Sequence, residues 1–426
     1  MNIEISNRRV LHSALTLVLL LLTALQSHAD VDTWRYEVVY TAELTANSDT
    51  AAASIRIGEG SEMFRQMRFT FEADRFSDFD ADGELNIEDN KLVWVPPARG
   101  GTLRYKVKIS NKRKSGSYDA RVTADWALFR GGDLFPPAVT RVEKNSYSDS
   151  RLVLKLPSGW SSVTRYEEGE NKNSYRTENP DRDFDRPTGW MLVGKLGLRR
   201  DTIADTRVSI AAPIGENFRR MDVMGFLNWT LQGIRDVFPT MDERLLIIAA
   251  DDPMWRGGLS GPNSLYVHSD RPLISENGTS TFLHELVHVA MGTAGSEHDD
   301  WILEGMAEYY SVKILARSGT LSERRRRLTL KDLEDWGIDV DDLFVRNSSG
   351  AVTARAAVAL ARLDEALADR APGDASLDDV VAEMMKTGIY NYATLCAASS
   401  KIMQGPVPEL SPKALPGAGE GCSEDG

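Results

Sequence analysis

The hydrophobic period of this chain changes once, between residues 200 and 215, and that change limits the folds open to it. From about residue 33 to 200 the apolar residues fall in short runs such as WRYEVVYTAEL, MRFTFEA, KLVWVP, TLRYKVKIS, RLVLKLP and WMLVGKLGLR. The runs are rich in Val, Tyr, Phe, Trp and Leu and are punctuated by Gly, Pro, Asp, Asn and Ser, as strands joined by turns are. Beyond residue 210, NFRRMDVMGFLNWTLQGIRDVF repeats its apolar residues at helical spacing. ERLLIIAADD and SLYVHSD read as two strands, and helices are expected at about 279–292, 301–317, 351–370, 376–386 and 391–403. The expectation is a multidomain β + α/β protein. An antiparallel β-sandwich spans 30–205, and a mainly helical domain with a small sheet spans 206–404. The tail 405–426, rich in Pro, Gly and Ser, is expected to be loose.

The chain has 426 residues, 50 basic and 63 acidic, for a net charge of −13. That length suits two or three domains with their own cores. The acidic balance excludes nucleic acid as a general partner, because phosphate binding needs a basic surface. Two short basic runs, NKRK at 111–114 and RRRR at 324–327, read as solvated turns or helix faces. At the N-terminus, Arg8 and Arg9 precede ALTLVLLLLTAL, and SHA follows at 27–29. Charge, apolar stretch and small residues in that order read as a signal peptide over 1–29, cleaved after Ala29, with a periplasmic or secreted product. The apolar stretch is shorter than the roughly 20 residues of a membrane span, so no stable span is expected after cleavage; an uncleaved anchor is the alternative. The two cysteines, Cys396 and Cys422, can pair in an oxidising compartment and tie down the tail.

His284, Glu285 and His288 form H-E-x-x-H in a helical segment, STFLHELVHVAMG, with Gly292 as its stop signal. Residues i and i+4 share a helix face, so both imidazoles can reach one ion, while Glu285 stands one position round as a proton acceptor. A catalytic zinc needs a third protein ligand. Glu304 in the next helix, flanked by Ile302, Leu303 and Met306, is the choice, because a buried carboxylate there needs a partner. Glu308, one turn on, is assigned to the free N–H of a ligand histidine. His298, in the polar loop GSEHDD, competes for the third position. Ala294 occupies the place where a metzincin carries its third histidine.

H-E-x-x-H followed by W-x-x-E-G-x-A-x-Y resembles the gluzincin metallopeptidases, above all their aminopeptidase N-like and glycyl-aminopeptidase-like families. The resemblance implies a thermolysin-like catalytic domain, one Zn2+ held by His284, His288 and Glu304, and a peptide or protein substrate. It also implies a Gly-rich substrate strand in WRGGLSGPNSLYV, with Gly258, Leu259, Ser260 and Asn263, and backbone pairing near Leu265–His268. Three features depart from the pattern. The spacer between His288 and Glu304 is fifteen residues, a few short of the usual. Ser260 stands where these families carry an amine-binding glutamate, and Thr353 where they carry an oxyanion-stabilising tyrosine. Other oxyanion donors to weigh are Tyr309, Tyr310, Tyr390, Tyr392 and His268.

A second metal-like stretch, DFDADGELNIED over Asp78–Asp89, matches a Ca2+-binding EF-hand loop at Asp78, Asp80, Asp82 and Gly83. Its flanks are strand-like, and a polar β-turn is the preferred reading over calcium. The chain as a whole reads as an exported zinc metallopeptidase. The alternatives are a weak or inactive peptide-binding protein on a peptidase fold and a zinc hydrolase of a non-peptide amide. Oligomeric state has no signature in the sequence.

Overall fold

The computed structural model describes residues 34–178, 184–292, 297–419 and 422. The signal-peptide reading of 1–29 and the position of Ala294 lie outside the described residues.

The molecule joins a β-rich N-terminal domain to a helical domain. Alternating apolar and polar residues build the first: Thr50–Ile57 and Gly101–Lys108 bury every second side chain. The strands form sheets of seven, five and four. Tyr36, Tyr40, Trp94, Phe129 and Phe135 are fully or almost fully buried in their common core. The expected antiparallel order fails at one pairing. Trp34–Glu43 and Ser146–Lys155 run parallel at the centre of the seven-stranded sheet. They lie about a hundred residues apart in sequence, so a long crossover, not a hairpin, sets their direction.

A fourth sheet belongs to the helical part. Its order is Leu196–Ile203, Thr206–Pro213, Arg244–Ala250, Ser264–His268 and Gly258–Gly261. The hairpin Leu196–Ile203/Thr206–Pro213 straddles the expected boundary at 205/206, and sheet membership changes at Lys195 instead. Periodicity could not place that change, because a strand has the same pattern in either sheet. The two parts meet through an apolar layer. Trp126, Leu128, Trp190 and Leu192 pack against Leu246, Ile248 and Tyr266.

Six long helices follow the sheet's first hairpin or its later strands: Arg220–Val237, Thr281–Met291, Asp300–Arg317, Glu323–Trp336, Ala351–Arg370 and Tyr392–Met403, with Leu377–Met385 a shorter one. Glu323–Trp336 contains the RRRR run and was not among the expected helices. Ser322 caps its first turn by accepting from the Arg325 backbone, a cap-plus-acid signal that SER preceding the arginines does carry. Asp300–Arg317 lies close against Ala351–Arg370 because Gly305 faces Ala356; a Cβ at 305 would come within 2.8 Å of the Ala356 Cβ. Residues 405–419 differ from the loose tail that their composition suggests. Val407, Leu410 and Leu415 are buried, Leu343 donates its backbone N–H to Pro416 at 3.0 Å, and Cys396 is disulfide-bonded to Cys422. A few apolar side chains found places in the helical core, which a count of Pro and Gly does not register. No helix among the described residues is long and apolar enough to cross a membrane.

Candidate metal centre and cleft

The motif helix Thr281–Met291 starts where Ser280 accepts from the Leu283 backbone, and it ends at Gly292, whose φ of 65° suits glycine. Phe282, Leu283, Leu286, Val287 and Ala290 bury the helix. His284 and His288 therefore leave it on the side facing Asp300–Arg317, and Glu304 and Glu308 meet them from that helix. The Nε2 atoms of His284 and His288 are 3.2 Å apart. Glu304 Oε2 lies 3.4 Å from His284 Nε2, and its Oε1 3.3 Å from His288 Nε2. Donors about 2.0–2.1 Å from a tetrahedral zinc stand roughly 3.3–3.4 Å apart. The spacing and the N, N, O donor set thus fit zinc.

Glu308 Oε2 accepts from His284 Nδ1 at 2.9 Å. That bond places the proton on Nδ1 and leaves the Nε2 lone pair for a cation. Burial disfavours charge on His284, but the carboxylates of Glu304 and Glu308 outweigh it and raise its pKa well above the usual value. Glu304 is pulled the other way: burial would raise it, yet the two histidines beside it hold it far below the ordinary carboxylate range. Glu285, buried beside them, is pushed up chiefly by burial.

His284, Glu285, Glu304 and Glu308 line one cleft of about 350 Å³, together with Trp255, Gly258, Arg271, Trp336 and Thr353. Gly257 and Gly258, at the start of the edge strand Gly258–Gly261, form part of its wall. Ser264–His268, expected to pair with substrate, has strands on both sides, so its backbone is already used. The free edge is one strand further out. Gly258 passes directly over Glu285: a Cβ there would sit 2.5 Å from Glu285 Cγ. Leu259 O accepts from Trp190 Nε1 at 2.9 Å, which ties the edge strand to the N-terminal domain. Asn263 sits apart at the hairpin turn with φ 46° and donates to Asp242 at 2.6 Å.

The structure sorts the remaining candidates. His298 is exposed and its Nδ1 bonds Phe344 O at 2.8 Å, away from the triad. The hydroxyls of Tyr309, Tyr310 and Tyr392 donate to Asp364, Asp378 and Leu410 O. Tyr390 is buried and does not line the cleft, whereas Thr353 does. His268 belongs to a second group of donors with Asp251, Asp252 and Asp270. Its Nδ1 accepts from the Asp270 backbone at 3.2 Å, so in the neutral ring Nε2 carries the proton, toward Asp252 at 3.4 Å. A protonated Nε2 is not a metal ligand. Reading the sequence missed Trp255, Arg271 and Trp336 as cleft residues; they come from three separate segments with no shared motif.

No protein-family model and no curated protein matches the sequence. Solved structures do match its fold. The aminopeptidase N family protein from Idiomarina loihiensis superposes with a TM-score of 0.64 at 15% identity, over 89% of this chain and 76% of that one. The M1 zinc metallopeptidase from Deinococcus radiodurans gives 0.60 at 16% identity, over 91% and 94%. A mutant of that enzyme bound to a Tyr-Ser-Ala substrate gives the same values. The fold resembles that of aminopeptidase N-family and M1 zinc metallopeptidases, the group toward which the sequence motifs point.

Proposed function

We propose that the protein is an exported zinc metallopeptidase. The observation that carries this reading is the convergence of two imidazole nitrogens and a carboxylate at 3.2–3.4 Å, beside a buried glutamate and under a glycine edge strand. His284, His288 and Glu304 hold the metal, and Glu308 keeps His284 in the ligating tautomer. Zinc held there would supply polarisation of the scissile carbonyl and a lowered pKa for water. Glu285 takes the proton of the attacking water and delivers it to the leaving amine. Gly258–Gly261 aligns an extended peptide along the free edge. A peptide substrate is supported by the Tyr-Ser-Ala complex of a structure with the same fold. The Cys396–Cys422 bond agrees with an oxidising compartment and so with the signal-like N-terminus.

One observation favours a second reading. The hydroxyls of Tyr309, Tyr310 and Tyr392 are engaged elsewhere, and this would suit a cleft that binds peptides without turning them over. Glu285→Gln separates the two. On the peptidase reading it keeps about one zinc per chain and loses peptide hydrolysis by roughly 100-fold or more. Undiminished hydrolysis with zinc in place would refute the role of Glu285. A wild-type protein that holds zinc and peptide but cleaves none would establish the binding reading.

A further inference from the structure

The charged residues lining the cleft are Glu285, Glu304, Glu308 and Arg271. All three carboxylates are committed. Glu304 faces both histidines, Glu308 bonds His284, and Glu285 lies buried beneath Gly258. None is left to hold the ammonium group of a peptide.

Arg271 is in the opposite position. It is exposed, and its Nε donates to the Arg256 carbonyl at 2.7 Å, which anchors the guanidinium at that nitrogen. The nearby acids are taken by Arg256, which pairs with Asp252 and with Asp270 at 3.5 Å. Among the described residues no ion pair within 4.0 Å involves Arg271. It also lines a second hollow of about 350 Å³, with Phe218, Arg219 and Ser269 and with Asp222 and Asp270, which pair with Arg219 and Arg256. An arginine anchored through Nε still offers two parallel N–H donors, the pair that matches a planar carboxylate.

We infer that Arg271 is a specificity-determining residue, which rests on the peptidase reading above, and that it selects peptides presenting a carboxylate at that end of the cleft. The carboxylate has two sources. A C-terminal carboxylate would end the substrate at Arg271. An acidic side chain would let the chain run on into the second hollow.

The test uses matched peptides on full-length protein: Glu against Gln at each position near the cleaved bond, and free against amidated C-termini. Hydrolysis is measured for wild type, Arg271→Ala and Arg271→Glu, and zinc content is measured in each. Affinity for the same fluorescently labelled peptides is measured in the Glu285→Gln background, so that the inference is read even where no peptide is cleaved. Wild type is expected to favour the carboxylate member of a pair by about 10- to 100-fold, through KM. Arg271→Ala should erase the difference, and Arg271→Glu should reverse it in favour of Lys-containing peptides, with zinc retained. Preference in the Glu/Gln pairs assigns an acidic side chain, and preference in the free/amide pairs assigns the C-terminus. Equal binding of both members by wild type, or a preference that survives in Arg271→Ala, overturns the inference. Carboxylate-selective binding without cleavage would leave Arg271's role standing and remove the peptidase reading alone.

Discussion

The acids of Asp78–Asp89 and the donors of His284–Glu304 both spell metal motifs, in regions built on different principles. Around Asp78 the flanks are strands. Phe76–Ala81 belongs to the seven-stranded sheet and Glu84–Glu88 to the four-stranded one, so Asp82–Gly83 is a corner between sheets. Gly83 has φ 98°, and a Cβ there would lie 2.3 Å from Val95 O. The acids are spent on cations: Asp78 pairs with Lys106 at 2.8 Å, and Asp80 and Asp82 with Arg104 at 3.3 and 3.2 Å. All three carboxylates are about half-exposed or more, so water screens them. Around His284 the donors leave two packed helices, are mostly buried, and converge. The comparison teaches that a ligand pattern becomes a candidate site when its scaffold turns the donors inward onto one point instead of spending them on surface cations.

The largest effects should come from the convergent site. His284→Ala and Glu304→Ala are each expected to lose the zinc and, with it, peptide hydrolysis; metal analysis beside activity checks both. Zinc retained at full occupancy in Glu304→Ala would remove it as a ligand. Next, Glu308→Ala should keep the fold and weaken zinc by about 10- to 100-fold in a competition titration with a chelator. At the other region, replacing Asp78, Asp80 and Asp82 together by Asn should leave zinc content and hydrolysis unchanged. Millimolar calcium should not raise the wild-type melting temperature; a calcium-dependent rise lost in the triple variant would make the corner a binding loop after all.

The smallest effect tests burial without a metal partner. Burial pushes Glu216 up to about 7, although the Asp251 backbone donates to it at 2.9 Å. A carboxyl raised on folding favours the native state below its ordinary pKa. That contribution fades as pH climbs from about 4.5 through 7. Glu216→Gln should therefore raise the melting temperature more at pH 8 than at pH 5. Equal shifts at the two values would show that Glu216 ionises freely.

Much of this was legible in the residues because it is local. The i, i+4 histidines need only a helix, and the strand-to-helix change of period needs only side-chain alternation. The missed helix Glu323–Trp336 was hidden by its four arginines, which weaken the apolar stripe although Thr329 and Leu333 are buried. The parallel pairing of Trp34–Glu43 with Ser146–Lys155 has no local signature.

Sequence alone determined that the two imidazoles of His284 and His288 would share one helix face, since backbone geometry sets that spacing whatever surrounds it. Tertiary structure decided which acid joins them: Glu304 faces both rings, while His298 turns to Phe344. It also made Gly258–Gly261 the free edge and left Arg271, at the cleft, without an ion pair among the described residues. Each of these depends on contacts between residues far apart in the chain, where packing and competition for partners, not spacing, settle the outcome.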